Sequence, residues 1–417
     1  MAGDLLAAVV IPTYNRAELL RGTLDALAAQ RPPDGGGFEV VVADDGSTDD
    51  TPAVVGEFTD RLRVRYGFQP DRGFRAAAAR NLGARLTSAP VLVFLDAGVR
   101  PGPGFVRAHL AAQAGGTRAV AGYTYGYQPD MDTDQLDGLA DDSRALAPAE
   151  LVRRHGCSDE LRDVRHSAFE RFGFDLTTAV VPWQWFWSVN CSVLAADFWA
   201  AGGFDEDYRT WGGEDLDLGY RLHRGGTAFT VSQEAWALDT PHKRSLGDDL
   251  ASNAANMGML VDKHPEPVTE LLWAFFARPG DRFVIHHDWN VEDEYRQVLE
   301  VADRTRGADV AAELAPLRCL PDDSRVVVLG CGADPPGGLA AGVRLFDFDS
   351  CFTGPASPGG RVAHGLGVRL PLADGSVDRV VITSRLSGLW ERWGPHILTE
   401  ARRVGARVDT VLAGNRP

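Results

Sequence analysis

A chain of 417 residues is too long for one ordinary core and points to two domains. Hydrophobic residues make up 44% and charged residues 24%, as in a globular protein. The formal charge of −16 is spread along the chain, which argues against a nucleic-acid partner. Five cysteines (157, 191, 319, 331 and 351) form no CxxC pair and no zinc spacing, so the reading is reduced thiols in a cytoplasmic protein. Met1 leads straight to a strand without a signal-like segment, and no window approaches the roughly 18 apolar residues of a membrane span.

In chain order, Leu5 to Ile11 reads as a buried parallel strand, short, apolar and ended by Pro12. Ala17 to Gln30 reads as an amphipathic helix, with Leu19, Leu20, Leu24 and Leu27 on one side. Phe38 to Ala43 is the second strand. Its helix, Thr48 to Phe58, is expected to open on Ser47 or Thr48 as N-cap, with acids in the first turn. Leu62 to Tyr66 is a third strand, Ala76 to Leu86 a helix and Val91 to Leu95 a fourth strand. This alternation predicts an open parallel α/β sheet, whose ligands bind beyond the carboxyl ends of the strands. Thr13, Asp45 and Asp96 fall there. From about Tyr123 to Trp183 the pattern weakens into polar, helix-prone sequence. Order returns at Trp185 to Leu194, followed by a helix near Ala196 to Ala201. Strands near Ala228 to Val231 and Ala235 to Leu238 come next, then a helix over Met257 to Phe276. Pro279 to about Pro321 is a charged, mostly helical connector, and Arg325 to Leu329 begins a new α/β unit.

The stretch Trp211-Gly212-Gly213-Glu214-Asp215-Leu216-Asp217 carries the sharpest signal. Acids at a Gly-Gly turn that opens a helix pack poorly but can place a carboxylate in a cleft, where it takes a proton from a hydroxyl. Taken alone, they could equally offset the helix dipole. Three apolar strands upstream also end in polar residues, at Pro12-Thr13-Tyr14, Asp44-Asp45-Gly46 and Asp96. Four such edges make a shared cleft the better reading.

The first 275 residues resemble the family 2 glycosyltransferases, which have a GT-A fold. The resemblance lies in PTYNR, ADDGSTDDT, ARNLGA at 79–84, VFLDAG at 93–98, NCSVLAADFWAAGGFDE at 190–206 and GGEDLDLGYRL at 212–222. It implies a GT-A domain over 1–276 that binds a nucleotide sugar and a small polar acceptor, with no membrane segment. Pro12, Thr13 and Tyr14 would frame uridine, Asp45 would accept the uracil N3–H, and Arg80 would hold the nucleotide or diphosphate. Asp96 would contact the ribose. Asp215 would be the general base of an inverting single displacement, and Glu214 would orient the acceptor hydroxyls. Trp183, Trp185 and Trp187 would share one side by alternation, so Trp185 with Trp211 is expected to wall the acceptor pocket. The family's Asp-X-Asp is degenerate here, Asp96-Ala97-Gly98, which puts a Mg²⁺ or Mn²⁺ site at Asp96 and His242 in doubt. A second acidic cluster, Asp130-Met131-Asp132-Thr133-Asp134, reads as solvated. The implied reaction moves a hexose, glucose from UDP-glucose, onto a small acceptor such as an aminocyclitol in antibiotic biosynthesis. A cell-surface or lipid-linked acceptor, and an inactive nucleotide-sugar-binding protein, remain as alternatives.

Residues 277–320 form the expected connector. Residues 321–417 resemble a fragment of a class I methyltransferase, in Val326-Val327-Val328-Leu329-Gly330-Cys331-Gly332, in Leu345-Phe346-Asp347-Phe348-Asp349 and in the stretch 370–380. Pro335-Pro336 and the short spacing leave little room for the usual helix after the first motif. The expectation is a small Rossmann-like domain that serves packing or homo-oligomer formation rather than catalysis.

Overall fold

Val9 to Ile11, Val40 to Ala43 and Leu92 to Leu95 are completely buried. Strands covered on both faces need continuous rather than alternating apolar sequence, and these runs supply it. The computed structural model describes the chain except residues 1–3, 32–35, 117, 127–145, 157, 160, 240–245, 277–289, 354–360 and 412–417, and the side chains of 246–250. The described residues form two compact units that divide between Asn253 and Ala254.

The first unit is built on an eight-stranded sheet. Its strands are β1 (Asp4–Thr13), β2 (Gly36–Asp44), β3 (Val64–Phe68), β4 (Val91–Leu95), β5 (Val99–Pro101), β6 (Arg118–Tyr125), β7 (Asn190–Leu194) and β8 (Ala228–Asp239). The spatial order is β3-β2-β1-β4-β7-β6-β8-β5. The first four are parallel, β7 runs antiparallel to both β4 and β6, and β5 is antiparallel to β8. Val9 and Ile11 pack with Leu20, Leu24 and Leu27 of helix Ala17–Ala28. On the other face, helix Ala76–Arg85 lies so close that a Cβ at Gly83 would meet Val10 Cγ1 at 2.4 Å. The chain order turns back between β1 and β4, which opens a crevice at their carboxyl ends. Thr13, the turn after Asp44 and Asp96 all lie at that edge.

Several boundaries differ from the sequence reading. The helix after β2 spans only Thr51–Gly56, and neither Ser47 nor Thr48 caps it. Instead Asp49 accepts from the Thr51 N–H at 3.1 Å and its hydroxyl at 2.6 Å. Trp183 and Trp185 lie on a 3₁₀ turn, Pro182–Trp185, so strand alternation does not apply to them. The two strands expected near 228 and 235 are one strand, β8, with a register shift opposite Gly122 and Thr124. The helix expected over 257–276 is two helices, Leu246–Lys263 and Pro267–Phe276, separated around Pro265.

The second unit holds a five-stranded, wholly parallel sheet: β9 (Val326–Leu329), β10 (Val343–Asp347), β11 (Val362–His364), β12 (Val377–Ile382) and β13 (Gly405–Thr410). Its order, β11-β10-β9-β12-β13, is doubly wound. The unit begins earlier than 277 because Glu270, on helix Pro267–Phe276, accepts the backbone N–H groups of Leu366, Val368 and Arg369 at 2.8, 2.6 and 3.0 Å. The connector helix Val291–Arg304 belongs here too, since its Glu294 accepts from Trp393 Nε1 at 3.1 Å. No helix lies between β9 and β10 among the described residues. Asp347, at the end of β10, is sealed. It takes the Gly332 N–H at 2.8 Å and Arg385 Nε at 3.0 Å, and Phe348 and Phe352 rings flank that guanidinium.

Candidate active site

The turn after β2 is shaped by Asp44, not by Asp45. Asp44 Oδ1 accepts the N–H groups of Gly46 at 3.1 Å and Ser47 at 2.7 Å, and Oδ2 accepts from Tyr66 at 2.6 Å. This Asx turn leaves Asp45 to reach elsewhere. Its carboxylate takes Gln69 Nε2 at 2.6 Å, the Arg75 N–H at 2.8 Å and Arg75 Nη2 at 3.1 Å. Gly46 has φ 94°, and a Cβ there would strike the Asp71 backbone at 2.3 Å. The loop carrying Asp71 therefore lies directly on the turn. Tyr14, 45% exposed, donates to Asp71 Oδ2 at 2.9 Å. Asn15 (φ 51°) accepts from the Thr48 N–H at 2.8 Å and so ties the end of β1 to the turn. Pro12 is half-buried, while Thr13 is buried with its Oγ1 unpartnered among the described residues.

Arg80 comes from helix Ala76–Arg85 and is 4% exposed. It donates to Glu214 Oε1 and to Asp96 Oδ1, each at 2.9 Å. Burial opposes its charge, yet the two carboxylates outweigh burial and push its pKa up. Next to it, Asn81 holds the turn at Phe204, accepting from the Phe204 N–H at 2.9 Å and donating to its carbonyl at 2.8 Å. The ARNLGA motif thus divides its work: Arg80 faces the acids, Asn81 docks the Gly202–Glu206 turn and Gly83 permits close packing.

Glu214 and Asp215 open helix Glu214–Arg224. Gly212 and Gly213 precede it with φ 94° and 91°, a left-handed pair that other residues rarely adopt. A Cβ on Gly212 would also meet Asn253 Oδ1 at 2.3 Å. Glu214 is 7% exposed, and its Oε2 is unpartnered among the described residues. Asp215 is half-buried; Oδ1 accepts the Leu216 N–H at 2.9 Å and Oδ2 the Ser188 N–H at 3.3 Å. Loss of water, then the neighbouring charge of Glu214, push its carboxyl up to about 7, against the opposing pull of Arg80 and the two N–H groups. A carboxylate held near neutrality suits a general base. Asp217 does not face solvent: it is buried and takes Arg221 Nε at 2.8 Å.

Gly98 does not stand where a second metal-binding carboxylate could simply be restored. Its φ is 100°, and a Cβ there would face Leu19 at 3.5 Å. Asp96 Oδ1 already receives Arg80. The Asp96–Gly98 triplet therefore offers a divalent cation one carboxylate of the several oxygen ligands it needs. No group of three His, Cys, Asp or Glu among the described residues could hold a metal. His242 and the cluster Asp130 to Asp134 lie outside the described residues. Trp185 does not wall an acceptor pocket. It is 5% exposed and packs on Phe172, so it serves the core rather than an open wall. Trp183 is likewise core, edge-on to Tyr220. Trp211 is half-buried, and its carbonyl accepts from Ser252 at 3.2 Å. Sequence reasoning missed Asp44, Asn15, Asn81 and Ser188. Asp44 was within reach, because two adjacent aspartates before Gly-Ser can divide turn-making from outward contact.

The class follows from this arrangement together with sequence comparison. Residues 8–173 match the family described as glycosyl transferase family 2, and residues 171–242 match the one described as N-terminal domain of galactosyltransferase. The chain belongs to glycosyl transferase family 2, with a GT-A fold, and is a glycosyltransferase. It is 43% identical to validoxylamine A glucosyltransferase of Streptomyces hygroscopicus subsp. limoneus, over 98% of this chain and 91% of that protein. The protein of the same description from S. hygroscopicus subsp. jinggangensis is also 43% identical, over 97% of this chain and 96% of its own length. Chondroitin synthase of Escherichia coli is 31% identical over 62% of this chain but only 38% of its own. No helix of the described residues is long and apolar enough to cross a membrane.

Proposed function

We propose that this protein transfers glucose from UDP-glucose to a hydroxyl of a small aminocyclitol of the validoxylamine type, with inversion, as a cytoplasmic step of antibiotic assembly. The near full-length likeness to two proteins described as validoxylamine A glucosyltransferase supports the donor sugar and the acceptor class. The observation that carries the mechanism is the placement of Asp215 in the first turn of helix Glu214–Arg224, held by the Leu216 and Ser188 N–H groups beside Glu214. In this reading Asp215 takes the acceptor hydroxyl proton as the oxygen bonds to the sugar C1. The C1–O bond to the diphosphate breaks on the opposite face, and UDP leaves. Glu214 keeps one oxygen on Arg80 and offers the other, unpartnered, to an acceptor hydroxyl or ammonium. Tyr14 and Asp45 bind the base, and Thr13, Arg80 and Asp96 line the path to ribose and diphosphate. Trp211 borders the acceptor.

The test is UDP release from a panel of UDP-sugars with and without validoxylamine A, in cation and in chelator. Acceptor-dependent turnover of UDP-glucose is expected. Turnover only with another sugar, or none with any acceptor alongside tight UDP binding, would overturn the donor or the acceptor.

A further inference from the structure

The stretch from about Tyr123 to Trp183 lacked legible periodicity, yet its described residues include a buried charged pair with every donor nitrogen satisfied. Asp163 and Arg165 are each 1% exposed. Arg165 Nε and Nη2 donate to Asp163 Oδ1 and Oδ2 at 3.0 and 2.8 Å. A buried bidentate pair of this kind is costly unless its remaining groups are also satisfied, and here they are. The register of β6 against β8 shifts between Gly122 and Thr124. The Gly122 carbonyl accepts from Arg165 Nη2 at 3.1 Å, and the Thr124 N–H donates to Asp163 Oδ2 at 2.7 Å. The pair therefore satisfies backbone groups on both sides of the irregularity.

The same guanidinium reaches toward Asp215. Its Nη1 donates to the Trp185 carbonyl at 2.9 Å, and its Cζ lies 4.7 Å from the Trp187 ring centre. Trp187 Nε1 in turn donates to the Gln184 carbonyl at 2.9 Å. The next residue, Ser188, gives its N–H to Asp215 Oδ2 at 3.3 Å. One buried cation thus fixes both the bulged strand and the short strap Trp185–Ser188 that ends on the carboxylate. We propose that Arg165, held by Asp163, is a positioning residue for Asp215, acting through the Trp185–Ser188 strap.

The proposal rests on Asp215 being the base, so the experiment separates the two. Arg165→Lys, Asp215→Asn and the double variant are made in the full chain, with Trp187→Leu as a second break in the strap. UDP-glucose turnover with validoxylamine A, UDP affinity and thermal midpoint are measured for each. Arg165→Lys and Trp187→Leu are each expected to lower kcat about tenfold while UDP affinity stays within twofold. The Arg165 and Asp215 effects on kcat are expected to be non-additive, as for groups that act through one another. Asp215 is faced by Glu214 and Arg80, and it loses an N–H donor when the strap loosens. The acidic limb of the kcat/KM profile should therefore move to higher pH in both strap variants. Additive effects with unmoved limbs would overturn the role of Arg165 while leaving Asp215 as base. An active Asp215→Asn would overturn the base assignment and this inference with it. Should Arg165→Lys fail to fold, Trp187→Leu alone decides by the position of its limb.

Discussion

Asp215 feels two neighbours of opposite sign, and that makes its titration adjustable. Burial and Glu214 raise its carboxyl, and Arg80 lowers it. A base works when ionised, so kcat/KM should rise with pH to a plateau above about 7. Glu214→Gln removes a raising charge and should move this limb to lower pH, whatever it does to the plateau. Equal limbs in variant and parent would remove Glu214 from the account. Asp215→Asn should cost roughly 10²–10⁴-fold in kcat, and turnover within a few-fold of the parent would end its assignment as base. Gly98→Asp restores the family's acidic triplet on paper. At φ 100°, with its Cβ toward Leu19, it should lower the thermal midpoint without adding activation by Mg²⁺ or Mn²⁺. Metal-stimulated turnover in that variant would show that the loop can turn outward.

At the scale of elements, a buried histidine joins helix Phe105–Gln113 to the sheet. His109 Nδ1 contacts Ser192 Oγ at 2.9 Å and Nε2 contacts Asn190 Oδ1 at 3.0 Å. Burial lowers its pKa from 6.5 to about 4, only partly offset by the Asn190 bond. The unfolded chain then binds the proton more tightly than the fold. The contribution is complete above pH 6.5 and is lost as pH falls toward 4, on the order of 3 kcal/mol in all. His109→Gln, compared with the parent by denaturant unfolding across that range, should show a shallower loss of stability toward acid. Identical slopes would mean that the histidine does not titrate as described. The same scale separates what the sequence disclosed from what it hid. Strand edges such as Pro12-Thr13 and Asp44-Asp45 were readable because apolar runs and turn residues are local signals. The Gly-Gly start of helix Glu214–Arg224 was readable for the same reason. The order of the described residues in the weak stretch that ends at Trp183 was not, because Arg165 and Asp163 hold it through backbone groups about 20 and 40 residues away in sequence. The split of Trp183, Trp185 and Trp187 away from a strand also follows from that packing, not from alternation.

At the scale of the whole molecule, the two sheets pack against different hydrophobic clusters among the described residues. Each encloses a crevice at a reversal of strand order, but the two differ in chemistry. In the first unit the crevice edge keeps unpartnered buried oxygens at Thr13 and Glu214 among the described residues. In the second, Asp347 is filled by Arg385, itself fully buried and bonded also to Thr305 Oγ1 at 3.1 Å. Opening that crevice for an adenosyl ligand would strand a buried guanidinium, which is strongly unfavourable. Ligands that bind only the folded state raise its stability by mass action, about 2.7 kcal/mol at a hundredfold excess over Kd. Calorimetry of the full chain should therefore show a UDP-dependent rise confined to one unfolding transition. S-adenosylhomocysteine should move neither transition, and Arg385→Ala should lower the transition that UDP leaves unmoved. A shift with S-adenosylhomocysteine in the parent would mean that Arg385 yields to a ligand and that the second crevice is a working site.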